Sequence, residues 1–253
     1  MQRTVAAARA EEDSVGRMLA SHLGGRATDL PVVRSAWPGY DRVNVQVGLE
    51  AWLGAPGRTH RLVGLTQYRH REFGLADLLR GGERWGPRIG SVETEALPAG
   101  PGGLTRPCTQ CGIYLVADSG SAAAVLLRGP EEHGRGAVTV EVASAAGELA
   151  QQAVNEIRRL ALEHNVFRGH VIAFGGEVFD RDEGGLLSFL DRPDIGREQV
   201  ILPAPVLDGI ERQVLGVARH AARLRASGQH LRRGVLLYGP AGTGQHCAFL
   251  SLG

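Results

Sequence analysis

Cys111-Gly-Ile-Tyr-Leu-Val-Ala117, Ala123-Ala-Val-Leu-Leu-Arg128 and Ala137-Val-Thr-Val-Glu-Val-Ala143 are the runs that decide the fold class. Each is short and either apolar or alternating, which is the pattern of a strand. Asp118-Ser119-Gly120 separates the first two, and the Gly- and Pro-containing stretch 129–136 separates the second pair. Residues 89–97 read as a further strand, set off by the turn residues of 98–103. Sequential strands on short turns predict an antiparallel meander.

Helices flank these strands. Over 147–164, Ala150, Ala153, Val154, Ile157, Leu160 and Ala161 form one apolar stripe, and Glu148, Gln152, Glu156, Arg159 and Glu163 fall largely elsewhere. Residues 8–23 read as a first helix, with Val15, Met18, Leu19 and Leu23 at helical spacing before Gly24-Gly25. Residues 40–53 fit a strand by the alternation of Val43, Val45, Val47 and Leu49. They fit a helix by Val45, Leu49, Trp52 and Leu53, with Asp41 as a cap. The apolar pattern outruns a strand, so a helix is expected. Residues 25–38 read as a loop around Pro31 and Pro38, residues 54–60 as a turn, and 170–174 as one more strand. The expected fold is α+β, with helices packed on a mostly antiparallel sheet.

The expected organisation is an N-terminal helix over 1–30, an α+β domain over 31–175 that binds a partner or substrate, a linker over 176–199 and a different domain over 200–253. The linker stretch is rich in Gly, Asp and Arg. Beyond Pro203 and Pro205, Leu207, Ile210, Val214, Val217, Ala221 and Leu224 predict one long helix to about Ser227, kinked at Gly216 and ended at Gly228.

Composition excludes several classes. The chain has 253 residues, 43% hydrophobic and 22% charged, as expected of a protein that buries a core. A net charge of +1 and 5% aromatics argue against a nucleic-acid surface. The short basic stretch His60, Arg61, Arg69, His70 and Arg71, with Tyr68 and Phe73 nearby, reads as a solvated loop in preference to a phosphate or nucleic-acid patch, which ranks last among the functional readings. No apolar run is long enough to span a membrane and no signal-peptide core is present, so no membrane partner is expected. Three cysteines give no disulfide framework, and a reducing cytoplasm is the expected location.

Candidate chemistry is sparse. Cys108-Thr-Gln-Cys111 has no second pair to complete a zinc site and leads into a strand instead of opening a helix. His22, His164 and His170 are not spaced as metal ligands, and no nucleophile elbow or HExxH is present. No catalytic residue and no metal ligand is singled out.

Residues 234–244 are different. Gly-Val-Leu-Leu-Tyr-Gly-Pro-Ala-Gly-Thr-Gly places a short apolar strand pattern, Val235 to Tyr238, directly before G-x-x-x-x-G. A strand feeding such a loop after a helix is the setting of a phosphate-binding loop. Arg233 to Gly244 resembles the entry to the nucleotide-binding domain of AAA-family ATPases, where the loop continues Lys-Thr. Residues 20–230 are more loosely similar to the N-terminal portion of such ATPases from GC-rich actinobacteria. The resemblance implies an α+β N-terminal domain followed by the start of a P-loop α/β domain. It implies ATP as ligand and a family that remodels protein substrates as a ring, often through adaptors. Gly239, Pro240, Ala241, Gly242, Thr243, Gly244, Gln245 and His246 map onto its phosphate loop.

Gln245 and His246 depart from that pattern. All 28 basic residues are arginine, so no neighbouring lysine substitutes. One lysine contact to phosphate at about 4 Å is worth on the order of 4 kcal/mol near a protein surface. Half of that already costs more than tenfold in affinity. Mg²⁺ prefers oxygen ligands, so His246 is a poor substitute for the family's threonine. ATP binding is therefore expected to be weak or absent and hydrolysis by this chain is not expected. The chain reads as an AAA-family N-terminal portion cut within its phosphate loop, as from a frameshifted or fragmentary gene. The other reading is a stand-alone protein-binding or adaptor module that uses no nucleotide.

Overall fold

The computed structural model describes residues 14–24, 27–69, 73–81, 86–130, 136–173, 187–190, 197–232, 236 and 238. The elements in order are α1 (Val15–Leu23), β1 (Val32–Pro38), α2 (Arg42–Leu53), β2 (Arg58–Thr66), α3 (Leu75–Arg80), β3 (Arg88–Gly90), β4 (Glu93–Pro98), β5 (Thr105–Asp118), β6 (Ser121–Arg128), β7 (Ala137–Ser144), α4 (Gly147–Glu163), β8 (Val171–Ala173), β9 (Ser188–Leu190), α5 (Ala204–Arg219) and α6 (Ala221–Ala226). The chain divides into two units, 1–190 and 191–253.

In the first unit, seven strands form one antiparallel sheet in the order β1-β7-β6-β5-β2-β3, and β4 also pairs with β5. The expected meander is β5-β6-β7. At 14 residues, β5 is long enough to pair with β2 along one half and β4 along the other.

Both faces of this sheet are covered. Val45, Leu49, Trp52 and Leu53 of α2 and Ala150, Ala153, Val154 and Ile157 of α4 pack on Tyr114, Val116, Val125, Leu127, Val138, Val140 and Val142. On the opposite face, Val15, Leu19 and Leu23 of α1 and Leu75, Leu78 and Leu79 of α3 pack on Cys111, Ile113, Leu115, Ala124 and Leu126. Double coverage explains why β5, β6 and β7 are nearly continuous apolar runs in an antiparallel sheet. The α2–α4 contact is close: a Cβ on Gly48 would lie 2.6 Å from the Ala161 nitrogen and the Ile157 oxygen.

Several expectations need correction. Within 25–38, residues Val32–Pro38 are not loop but the edge strand β1, in register with β7 from Val32↔Ala143 to Pro38↔Ala137. Pro38 ends the strand, where a missing N–H costs nothing. The turn expected over 54–60 closes by Gly57, because Arg58–Thr66 is β2, paired with β5 from Arg58↔Asp118 to Gly64↔Gly112. His60 and Arg61 therefore stand on a strand, not a loop. Helix α3 had no sequence counterpart, and 89–97 resolves into two strands, β3 and β4. The helix over 40–53 is present as α2, but Asp41 makes no side-chain cap bond to the backbone; its carboxylate accepts from the Asn44 side-chain Nδ2 at 2.9 Å. Strand β9 lies within the stretch read as linker and pairs with β8.

In the second unit, Val200, Leu207 and Ile210 form a small cluster with Leu202. The long helix is interrupted at His220, not at Gly216, which keeps helical geometry within α5. Gly228 ends the segment as expected, with φ of +72°. Its amide donates to the Arg225 carbonyl at 3.0 Å, and Gln229 donates to Leu224 at 2.8 Å, a left-handed helix stop. The P-loop α/β domain expected from 200 onward is not shown by these elements.

Candidate functional site

The phosphate-loop residues Gly239, Pro240, Ala241, Gly242, Thr243, Gly244, Gln245 and His246 lie outside the described residues. Of the strand pattern before them, Leu236 and Tyr238 are 93% and 99% exposed. The sites that geometry does define lie in the first unit.

An open cleft of about 460 Å³ separates the C-terminal half of α1 from β2 and β5. Met18, Ser21 and His22 line one wall, Thr59, His60 and Arg61 the other, and Leu115 and Ala117 the floor. Register explains the grouping. Thr59 pairs with Ala117 and Arg61 with Leu115, so their side chains share a sheet face. His60 points to the other face, where its ring lies 6.3 Å from that of Tyr114. His22 is fixed, because its Nε2 donates to the carbonyls of Val116 and Ala123, each at 3.0 Å. Two carbonyl acceptors require the proton on that nitrogen. Arg61 is exposed and makes no hydrogen bond or ion pair with the described residues.

Beneath α2 lies a polar network on the same face as Tyr114. Arg42 is 3% exposed; it donates to Glu95 and, at 3.1 Å, to the Cys108 carbonyl. Gln46 accepts the Thr109 amide at 3.1 Å and donates to Glu50 at 2.7 Å. Thr109 and Tyr114 share a hydroxyl–hydroxyl bond at 3.0 Å, and Arg106 pairs with Glu50. Burial is the main force raising the Tyr114 hydroxyl, opposed by its bonds to Thr109 and Gln46. Burial likewise pushes the Cys108 thiol up to about 11 and Cys111 to about 12. Thiols held this way stay protonated at neutral pH and supply neither nucleophile nor ready metal ligand. The CxxC is two buried residues of one strand with different surroundings: Cys108 near Arg42, Cys111 against α1 and α3.

Of the stretch read as a basic loop, His60 and Arg61 are exposed on β2, whereas Tyr68 and Arg69 are engaged. Tyr68 is buried and donates to Glu93, and Arg69 pairs with the same carboxylate. The Tyr68 bond, then Arg69, hold Glu93 below the usual carboxylate range against the effect of burial. His70 and Arg71 lie outside the described residues. The scattered His22, His164 and His170 do not gather, and no three of His, Cys, Asp or Glu converge among the described residues. No described helix is long and apolar enough to cross a membrane.

Sequence reasoning missed the cleft because it missed β2. Thr59, His60 and Arg61 are all exposed, so neither alternation nor an apolar run marks them as strand. Leu62-Val63-Gly-Leu65, in the same element, was the available signal.

Compared with models of known families and with curated proteins, the chain matches none.

Proposed function

We propose that the chain carries the partner-binding domain and the opening phosphate loop of an AAA-family ATPase, in a form that does not hydrolyse ATP. The observation that carries this reading is the stretch Arg233 to Gly244, a strand pattern running into G-x-x-x-x-G. Its setting supports it: α5 and α6 end in the Gly228 stop shortly before that stretch begins. Gln245 and His246 replace the charge and the oxygen ligand that phosphate and Mg²⁺ need. ATP is the ligand of this reading, bound weakly or not at all, and the partner is a protein substrate or adaptor, met in the cytoplasm. The α+β unit is the part assigned to that partner.

The coding nucleotide sequence tests the family reading. A second frame that encodes Lys-Thr and a continuing helix after the Gly244 codon is the expected result; its absence counts against the AAA assignment. Calorimetric titration with Mg-ATP tests the state of the loop. A silent titration at micromolar protein is expected, and tight binding would overturn the inactive loop.

A second reading is favoured by the two-sided core of the first unit, which is complete without residues 191–253. This is a stand-alone protein-binding or adaptor module. The coding nucleotide sequence separates the two, because a pure adaptor predicts no second frame that encodes Lys-Thr and a continuing helix after the Gly244 codon.

A further inference from the structure

The geometry points to the open edge of β2, residues 58–63, as a docking strand for an extended acidic peptide, which would add to the sheet there and place a carboxylate against Arg61. This deepens the reading of the α+β unit as partner-binding and is independent of the nucleotide loop.

The edge is available along most of its length. On one side β2 pairs with β5 over Arg58 to Gly64. On the other, β3 reaches only Gly64, Leu65 and Thr66. No strand lies beside residues 58–63 on that side among the described residues, so alternate residues present outward N–H and C=O groups, apart from the Arg58 N–H, which donates to the Ala55 carbonyl at 3.1 Å. Six residues of strand offer about 20 Å of backbone. Such an edge is the site used when a peptide joins a sheet.

Charge selects the partner. Arg61 is exposed and unpaired among the described residues, and His60 is exposed beside it. Neither α1 nor residues 58–63 contains a carboxylate. Asp118, the nearest acid in the register, is taken by Arg58 at 2.6 Å. Positive side chains on an edge discourage neutral strands from pairing with it, so the strand that docks must bring the opposite charge. The cleft between α1 and β2 gives room for side chains on the Arg61 face, over Leu115 and beside His22. A peptide alternating carboxylates with small apolar residues places each acid on that face.

The other long edge, β1, lacks this combination. Pro31 and Pro38 bracket it, and its Arg34 lies 3.7 Å from the Glu141 carboxylate.

The test uses the full chain and a fluorescein-labelled hexapeptide of alternating Val and Glu, read by anisotropy. Binding is expected, with Arg61→Glu weakening it at least tenfold and conferring binding to the Val–Lys counterpart. Arg34→Glu should leave binding unchanged. N-methylation of one set of alternate peptide amides should abolish binding and of the other set should not. Failure of Arg61→Glu to weaken binding, equal loss in Arg34→Glu, or equal binding of both methylated peptides would overturn the proposal. A protein-concentration-dependent mass in sedimentation, removed by Arg61→Glu in a chain that binds no peptide, would assign the edge to a second copy instead. Mg-ATP titration reads neither outcome, so failure here and failure of the nucleotide reading remain separate.

Discussion

Glu141, 5% exposed in the middle of β7, accepts the backbone amide of Leu75 at 2.6 Å through its Oε2. The bond ties the first turn of α3 to the central sheet across 66 residues of sequence. Nearby, Arg128 donates to the Phe73 carbonyl and lies 4.2 Å over its ring. A six-residue helix has too few internal bonds to stand by itself, so tertiary contacts hold it. Glu141→Ala removes the acceptor and leaves a buried amide unmet. The expected cost is about 2 kcal/mol, read as a lower urea midpoint, and Glu141→Gln, which keeps an acceptor oxygen, should lose less.

Gly48 marks where α2 and α4 touch backbone to backbone. In Gly48→Ala the new Cβ would meet Ala161 and Ile157 at distances of 2.6 Å, both to main-chain atoms that cannot rotate away. The helices must separate, at a cost of about 1–3 kcal/mol. A fall of several degrees in the thermal midpoint is expected, larger than that of Ala51→Gly at a half-buried position of the same helix. An unchanged midpoint in Gly48→Ala would show that the helices do not meet backbone to backbone in solution.

The cysteines set a limit at high pH. Folded Cys108 and Cys111 titrate at about 11 and about 12, against 9.0 for an unperturbed thiol. The raised values mean that the unfolded chain releases protons first as pH rises. Stability is therefore intact below about pH 8.5, then falls through the window up to the folded values. Chemical denaturation at pH 8, 9.5 and 10.5 should show this decline, and it should be shallower in Cys108→Ala/Cys111→Ala despite that variant's lower starting stability.

Acid acts through Asp118 and Glu93. A hydrogen bond from Arg58 holds the Asp118 carboxyl below its usual range, and one from Tyr68 does the same for Glu93. Depressed carboxylates stabilise the fold above the unfolded pKa, near 4, and lose that contribution as pH falls through the folded value. Asp118→Asn should be less stable than the parent at pH 7 by under about 1 kcal/mol, because the pair is partly solvated. The gap should narrow as pH falls below about 4. A gap of constant size would show that Arg58 acts chiefly through its cation–π contact, 4.1 Å over Trp52.

The legible parts of the fold share one property. Residues 111–117, 123–128 and 137–143 lie in central strands with helices on both faces, so burial itself wrote their apolar runs. Helix α4 is amphipathic because one side meets the sheet, which is why its stripe from Ala150 to Ala161 could be read. The illegible parts are edges and short elements. Strand β1 carries Arg34 and ends in Pro38, and β2 begins with four polar residues; in both, pairing to one neighbour, not burial, makes the strand. Strands β8 and β9 are three residues each, too short to carry a periodic pattern, and are held by their mutual pairing and by Phe189 against Phe167 and His170. The break at His220 likewise left no proline or glycine to announce it.

The α+β class, the antiparallel meander and the Gly228 helix stop could be read from the chain alone. All of these are local patterns, set by side-chain periodicity and by which residues stand next to one another. Only the tertiary structure decided that β2 exists, that its outer edge is open, and that Arg61 and His22 flank one cleft. Those features depend on which strand pairs with which across 40 or more positions, as between Arg61 and Leu115, and cross-strand pairing leaves no periodic trace in a strand whose side chains face solvent.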